Sequence, residues 1–170
     1  IEALLLATPP QAPVRSDKPA LRVVIADDLE DDRRLLARQL VRSGRFEVMA
    51  EADDGAAAIR MVRELDPDLA LLDLNMPVLD GLSALRRIRA DSPRTLVVML
   101  SGYVSDDIVR EAQAAGALGC IPKGPAGVVD ALSDLLGRAE RRSLDDLEPP
   151  QLTPRARLDR HVSQPQEDPS

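Results

Sequence analysis

The sequence predicts an α/β protein: a doubly wound, five-stranded parallel sheet with helices on both faces. Three observations lead there. Five short apolar runs alternate with stretches of helical periodicity between residues 21 and 142, and strands so separated pair in parallel through right-handed helical crossovers. The run at residues 69–72 is apolar without alternation, the pattern of a strand buried on both faces. Gly44, Asp66-Pro67 and Gly116 break the chain where one segment should give way to the next. The strand order expected of such a sheet is 2-1-3-4-5, and its functional crevice lies at the carboxyl ends of the strands, where the order reverses.

Each element has its own reason. Residues 21–26 form a β-rich apolar run, and residues 30–43 place Leu36, Leu40 and neighbouring Leu35 on one helical face. Asp31 and Asp32 fall at the start of that helix, where negative charge suits the dipole. Residues 46–52 read as a second strand, and Asp53-Asp54-Gly55 as the turn and cap opening a helix over 56–65. After the strand that ends at Asp73, the chain turns at Pro77 and Gly81, and Leu82, Leu85 and Ile88 mark a third helix. Residues 96–100 form the fourth strand. Ser105 caps a helix that begins with Asp106 and Asp107 and ends at Gly116, and residues 118–121 supply a short fifth strand. The last helix follows Pro125 and carries Val128, Leu132 and Leu135 at i, i+4 and i+7.

Composition narrows the function. The chain has 170 residues, 44% apolar and 30% charged, enough for one ordinary core plus tails. With 22 basic against 29 acidic side chains the formal charge is -7, which argues against direct nucleic-acid binding, whose footprint is basic. A single cysteine permits no internal disulfide and makes a reducing cytoplasm the expected location. Residues 3–7 are too short for a signal sequence and follow Glu2, and no stretch reads as a membrane span. Residues 1–20, rich in proline, and 143–170, rich in proline and charge, have too little apolar material for a core and are expected to be disordered, leaving a domain over 21–142. The chain begins at Ile1 rather than Met, leaving an unusual start, a processed end and a cut chain equally open.

Asp73 stands out chemically. A carboxylate has no packing reason to end an apolar strand, and buried polar groups are costly unless they have a metal, a hydrogen bond or a job. The other strands end at polar groups too: Asp27-Asp28 after the first, Ser101 after the fourth and Lys123 near the fifth, all at one edge of the sheet. Taken singly each is ordinary. Asp-Asp after a strand is commonly a helix cap with a solvated neighbour, Lys123 a surface lysine and Ser101 a turn residue. His161 reads as a solvated residue of the tail and Cys120 as part of the core.

In that order and spacing the set resembles the receiver domain of two-component response regulators, with a flavodoxin-like, CheY-like fold. The pieces are Asp27-Asp28, Asp73 within Leu-Leu-Asp-Leu-Asn-Met-Pro, Asp80-Gly81, Ser101-Gly102, and Ala-Leu-Gly-Cys-Ile-Pro-Lys ending at Lys123. The match covers roughly 120 residues, about one domain. The resemblance implies that Asp73 accepts a phosphoryl group from the phosphohistidine of a sensor histidine kinase or phosphotransfer protein and later loses it to water. It implies a Mg²⁺ ion held by Asp27, Asp28, Asp73 and the backbone carbonyl of Asn75. Electrostatics agree: carboxylates about 4 Å apart repel by roughly 4 kcal/mol per pair at an effective dielectric of 20, so the cluster should welcome a hard divalent cation. Lys123 then supplies a compact positive charge to the phosphoryl group and the Ser101 hydroxyl a donor.

Two departures bear on readout. The position three before the lysine, an aromatic switch in many receivers, is Cys120, and the usual Lys-Pro is replaced by Lys123-Gly124-Pro125, which bears on the cis-proline geometry common in the family. Tyr103, two residues past Ser101, occupies a position that in the family borders the phosphoryl group. It either shields that group or merely covers apolar surface. Output is expected through an unidentified protein or a homodimer using the face of the fourth helix, fifth strand and fifth helix, since no DNA-binding output domain is visible. The alternative is an adaptor that keeps the fold without signalling by phosphorylation. A phosphatase-type Asp-x-Asp nucleophile is absent, because Asp73-Leu74-Asn75 lacks the second acid.

Overall fold

A computed structural model describes residues 19–124 and 127–145. Ten elements alternate along the chain: β1 (Leu21–Ala26), α1 (Glu30–Arg42), β2 (Phe46–Ala52), α2 (Gly55–Leu65), β3 (Leu69–Asp73), α3 (Gly81–Asp91), β4 (Leu96–Ser101), α4 (Asp106–Ala114), β5 (Gly119–Pro122) and α5 (Val128–Asp145). The strands form one sheet in the order β2-β1-β3-β4-β5, every neighbouring pair parallel. The expected fold class and strand order are therefore those found.

Side chains of a strand alternate between faces, and here both faces are covered. Val23, Ile25, Leu69, Leu71, Val98 and Leu100 point into one layer with Leu36 and Leu40 of α1 and Leu132 and Leu136 of α5. Val24, Ala26, Ala70, Leu72, Val97 and Met99 point into the other, against Ala58 and Val62 of α2, Leu85 and Ile88 of α3 and Ala112 of α4. This explains the unbroken apolar run of β3, whose five residues are all buried. Truncating such a side chain, Leu71→Ala for example, removes contacts on a closed face and should cost about 2–5 kcal/mol.

Local chemistry sets the helix starts. Asp54, Asp80 and Ser105 each accept a backbone N–H from the first turn of the helix they precede, at Ala57, Ser83 and Ile108. Leu29 precedes α1 without a side-chain cap, and Glu30, Asp31 and Asp32 place negative charge in that first turn instead.

Three boundaries or faces differ from the sequence reading. Leu35 is 41% exposed, whereas Leu36 and Leu40 are buried. Successive helical residues are rotated by about 100°, so the Leu36/Leu40 ridge that meets the sheet turns Leu35 outward. In α5 the deepest positions are Val128, Leu132 and Leu136, while Leu135 is only partly buried and packs close to Gly119. Helix α5 also continues to Asp145, past the expected domain boundary at residue 142. Of the segments expected to be disordered, residues 1–18 and 146–170, with His161 among them, lie outside the described residues, as does Pro125.

Candidate functional site

Parallel strands all end at the same edge, so the fold itself gathers their carboxyl-terminal residues. Among the described residues the buried polar or charged ones are Asp27, Asp73, Thr95 and Ser101. Thr95 is accounted for by a hydrogen bond to the Pro67 carbonyl at 2.9 Å. Asp73 and Ser101 end β3 and β4, and Asp27 immediately follows β1, at the crevice beside the β1/β3 switch point.

Carboxylate oxygens of Asp27, Asp28 and Asp73 lie within 4.8 Å of one another, with Asp28 exposed and the other two buried. Lys123, just past β5, sends its Nζ between two of them, 2.7 Å from Asp27 Oδ2 and 2.9 Å from Asp73 Oδ2. Its backbone N–H donates to the Ser101 carbonyl at 2.8 Å, which carries the β4/β5 register one residue further and fixes where the side chain starts. Three carboxylates thus face one ammonium, which leaves negative charge unbalanced. A compact cluster of hard oxygen donors already spanned by one cation fits a second, divalent one, and Mg²⁺ suits such donors. Asp27, Asp28 and Asp73 are the side chains placed to hold it.

Burial raises the Asp73 pKa, with the Asp27 charge acting in the same direction, while the Lys123 ammonium and the Asn75 backbone N–H work against the shift. Burial alone would lower the Lys123 pKa, but its hydrogen bonds and attraction to Asp27 and Asp73 outweigh that and hold it above its ordinary value. Asn75 itself is exposed, and its backbone N–H favours the charged form of Asp73.

The remaining sequence candidates are distributed around this centre. Ser101 is buried, and its Oγ donates to the Tyr103 carbonyl at 2.5 Å, so the hydroxyl is already engaged within its own loop. Tyr103 is 75% exposed, its ring turned to solvent rather than closed over the carboxylates. Cys120 is half-buried opposite Met99 of β4, packs against the α2/α3/α4 layer, and has its thiol pKa raised by burial. Asp53 is exposed in its turn and Asp54 caps α2, as their position off the switch point implies.

Two supports were not evident from the sequence. The guanidinium of Arg33 on α1 donates to the Asp27 carbonyl at 2.6 Å and pairs with Glu51 of β2 at 3.3 Å, clamping the backbone that carries Asp27. Gly81 lets α3 begin against β3: a Cβ there would lie 2.1 Å from the Asp73 carbonyl oxygen. The pair Asp80-Gly81 was a visible signal for the second. For the first there was none, because it depends on β2 lying beside β1.

A doubly wound sheet with an acidic, lysine-spanned cluster at its switch point defines a class of small α/β signalling domains. Comparison with known proteins gives the family: residues 23–131, more than half of the chain, match the response regulator receiver domain, and the chain belongs to that family. It is 35% identical over 119 residues to the chemotaxis protein CheY of Halobacterium salinarum, covering 69% of this chain and 98% of that protein. It is 41% identical over 114 residues to a protein-glutamate methylesterase/protein-glutamine glutaminase of Anaeromyxobacter dehalogenans, covering 67% of this chain but only 33% of that longer protein. Among solved structures, the receiver domain of the response regulator NarL from Mycobacterium tuberculosis superposes with a TM-score of 0.66 at 34% identity, over 72% of this chain and 98% of that one. Receiver domains generally bind Mg²⁺ and interact with histidine kinases and with output or partner proteins. No helix among the described residues is long and apolar enough to cross a membrane.

Proposed function

We propose that this receiver domain is a phosphorylation-controlled module in which Asp73 is the phospho-acceptor. The observation that carries the reading is the convergence of Asp27, Asp28 and Asp73 with the Lys123 ammonium at a partly buried edge. In the forward step an Asp73 carboxylate oxygen attacks the phosphorus of a phosphohistidine on a sensor kinase or phosphotransfer protein. A phosphorus–oxygen bond forms, the phosphorus–nitrogen bond breaks, and its electron pair returns to the imidazole, which takes up a proton. In the reverse direction of signalling, water attacks the same phosphorus, the Asp73 carboxylate is regenerated, and inorganic phosphate and a proton leave. The domain therefore promotes its own phosphorylation and dephosphorylation.

An anionic nucleophile must approach an anionic phosphoryl group, so charge neutralisation and alignment dominate the barrier. Mg²⁺, held by the Asp27, Asp28 and Asp73 carboxylates with the Asn75 carbonyl, would neutralise charge on the transferring oxygens. Lys123 Nζ, 2.9 Å from an Asp73 oxygen, is within reach of an oxygen on a phosphorus bonded there. Ser101 supplies a donor once its hydroxyl leaves the Tyr103 carbonyl. Output passes to a partner protein or a second copy through the face of α4, β5 and α5. The proposed domain runs from residue 21 through the end of α5 at Asp145, three residues beyond the expected boundary at 142, in a cytoplasmic protein.

The test is labelling with acetyl phosphate. Wild type should take up one acid-stable, hydroxylamine-labile phosphoryl group, and the near-isosteric Asp73→Asn should take up none while retaining its fold. Stoichiometric labelling of Asp73→Asn at the wild-type rate would overturn the assignment. Cys120, in place of an aromatic switch, favours a second reading as a constitutive adaptor. A protein whose spectrum and thermal midpoint ignore Mg²⁺ with beryllofluoride, a phosphoryl mimic, is the adaptor.

A further inference from the structure

The loop after Asp73, residues 74–80, is fixed by backbone contacts at both of its ends. Leu74 donates to the Leu100 carbonyl at 2.9 Å and accepts from the Gly81 N–H at 3.0 Å. At the far end the Leu79 carbonyl accepts the N–H of Gly55, the first residue of α2, at 3.2 Å. That approach is possible only because Gly55 has no side chain: a Cβ there would lie 2.3 Å from the Leu79 oxygen and 3.1 Å from Ala84 Cβ. Between these anchors the Leu79 N–H donates to the Pro77 carbonyl at 2.6 Å, closing a three-residue turn on Val78, whose φ is +66° and whose side chain is 84% exposed. A β-branched residue at positive φ is an outlier, and such strain persists only where the surroundings over-determine the conformation. Val78 has no burial to hold it. The Gly55 contact holds the turn from α2, beside the packing of Met76 and Leu79 on the core.

The near end of the same loop carries Asn75, two residues past Asp73, whose backbone N–H lies close enough to the Asp73 carboxylate to favour its charged form. We propose that Gly55 is a positioning residue for the Asp73 site: by admitting the Leu79 carbonyl to the start of α2, it locks the 74–80 loop in the one conformation that presents Asn75 to Asp73 and to a bound cation. A side chain at position 55 forces Leu79 back by about an ångström, and displacements of that size are enough to spoil a catalytic geometry. The inference rests on the reading of Asp27, Asp28, Asp73 and Asn75 as a Mg²⁺ site.

Linkage supplies a test in the unaltered protein, since a contact that favours the cation must itself be favoured by the cation to the same degree. Amide exchange of Gly55, followed by NMR with Mg²⁺ alone, should slow by about tenfold at saturation, whereas Asp66, whose N–H bonds Val62 at the other end of α2, should change far less. In parallel, Gly55→Ala should weaken Mg²⁺ binding by about tenfold or more, the usual effect of disturbing groups behind metal ligands. Gly119→Ala is the matched control: its Cβ would meet Leu135 Cδ2 at 2.9 Å, so it strains packing on β5 and α5 and should leave Mg²⁺ affinity unchanged. An unchanged Gly55 exchange rate, or a folded Gly55→Ala with wild-type Mg²⁺ affinity, overturns the inference. If Gly55→Ala does not fold, the exchange measurement decides alone. Failure of the wild type to bind Mg²⁺ at all overturns the metal reading itself and this inference with it.

Discussion

Replacing Lys123 with methionine keeps the unbranched shape of the side chain, one atom shorter, and deletes the charge that two buried carboxylates share. Its Nζ stands 2.7 Å from Asp27 and 2.9 Å from Asp73, and each contact is worth about 6 kcal/mol at an effective dielectric of 20. Desolvation of the ammonium takes back much of that, and removing one partner of a buried pair costs about 3–5 kcal/mol in practice. Lys123 is 18% exposed, so some water remains to screen what is left behind, and the expected loss is about 3 kcal/mol in Mg²⁺-free buffer. The same deletion leaves three carboxylates with no cation, so Mg²⁺ should bind Lys123→Met more tightly than wild type. At a hundred times its dissociation constant the ion would stabilise the mutant by about 2.7 kcal/mol, and the gap to wild type at the same Mg²⁺ narrows by RT times the logarithm of the ratio of their affinities. Urea denaturation with and without Mg²⁺ measures both quantities. A loss under about 1 kcal/mol, or a loss that Mg²⁺ does not reduce, would refute the claim that Lys123 is the resident counter-ion of the cluster.

Further tests address single groups. Asp73, whose folded pKa is raised above its ordinary 3.8, is ionised more readily in the unfolded chain, so it costs stability as pH rises through the folded value; Asp73→Asn should accordingly be the more stable protein at pH 7 without Mg²⁺, with the difference vanishing below about pH 4 in thermal melts. Asp28→Ala removes a charged oxygen donor exposed at the rim and should weaken Mg²⁺ binding measured by titration calorimetry, with unchanged affinity removing Asp28 from the site. Asp80 behaves oppositely to Asp73: its bonds from the Ser83 N–H and hydroxyl hold its pKa low, so its contribution is present above the ordinary carboxylate range and lost as pH falls through the folded value. Asp80→Ala should cost about 1 kcal/mol at pH 7 and progressively less in acid, as urea midpoints would show.

The fold was legible because each strand announces itself twice, by apolar content and by the polar residue that ends it. β3 is the clearest case: unbroken burial from Leu69 to Leu72 and then Asp73 defined a central strand and a site together. Caps such as Asp54 and Ser105 are local, needing only the next three residues, and so they too were readable. What escaped depends on neighbours in space. Leu35 lies beside two core leucines in sequence, but only the sheet decides which ridge of α1 faces inward. Arg33 is one of several arginines on α1, and its bond to the Asp27 carbonyl exists because Glu51 draws it across the β1/β2 edge. The Leu79 carbonyl at Gly55 joins segments that no periodicity connects.

The site also suggests how a change at Asp73 would leave it without an aromatic switch. Cys120 is too small to exchange an exposed for a buried ring, which moves attention to the loop after β4. There the Ser101 hydroxyl donates to the Tyr103 carbonyl, and Ser105, at the end of the same loop, caps α4 through the Ile108 N–H at 3.4 Å. A hydroxyl has one proton to donate, so Ser101 serves either its own loop or an oxygen on Asp73, and the two states exclude each other. Recruiting it to a phosphoryl group would therefore release Tyr103 and loosen the segment that anchors the start of α4, and residues 101–105 would then act as a bistable element rather than a passive connection. Amide exchange at Ile108 should then respond to Mg²⁺ with beryllofluoride in wild type, and the response should be lost in Ser101→Ala, where no donor remains to be moved. An equal response in both proteins would mean that the signal reaches α4 by a route that bypasses Ser101.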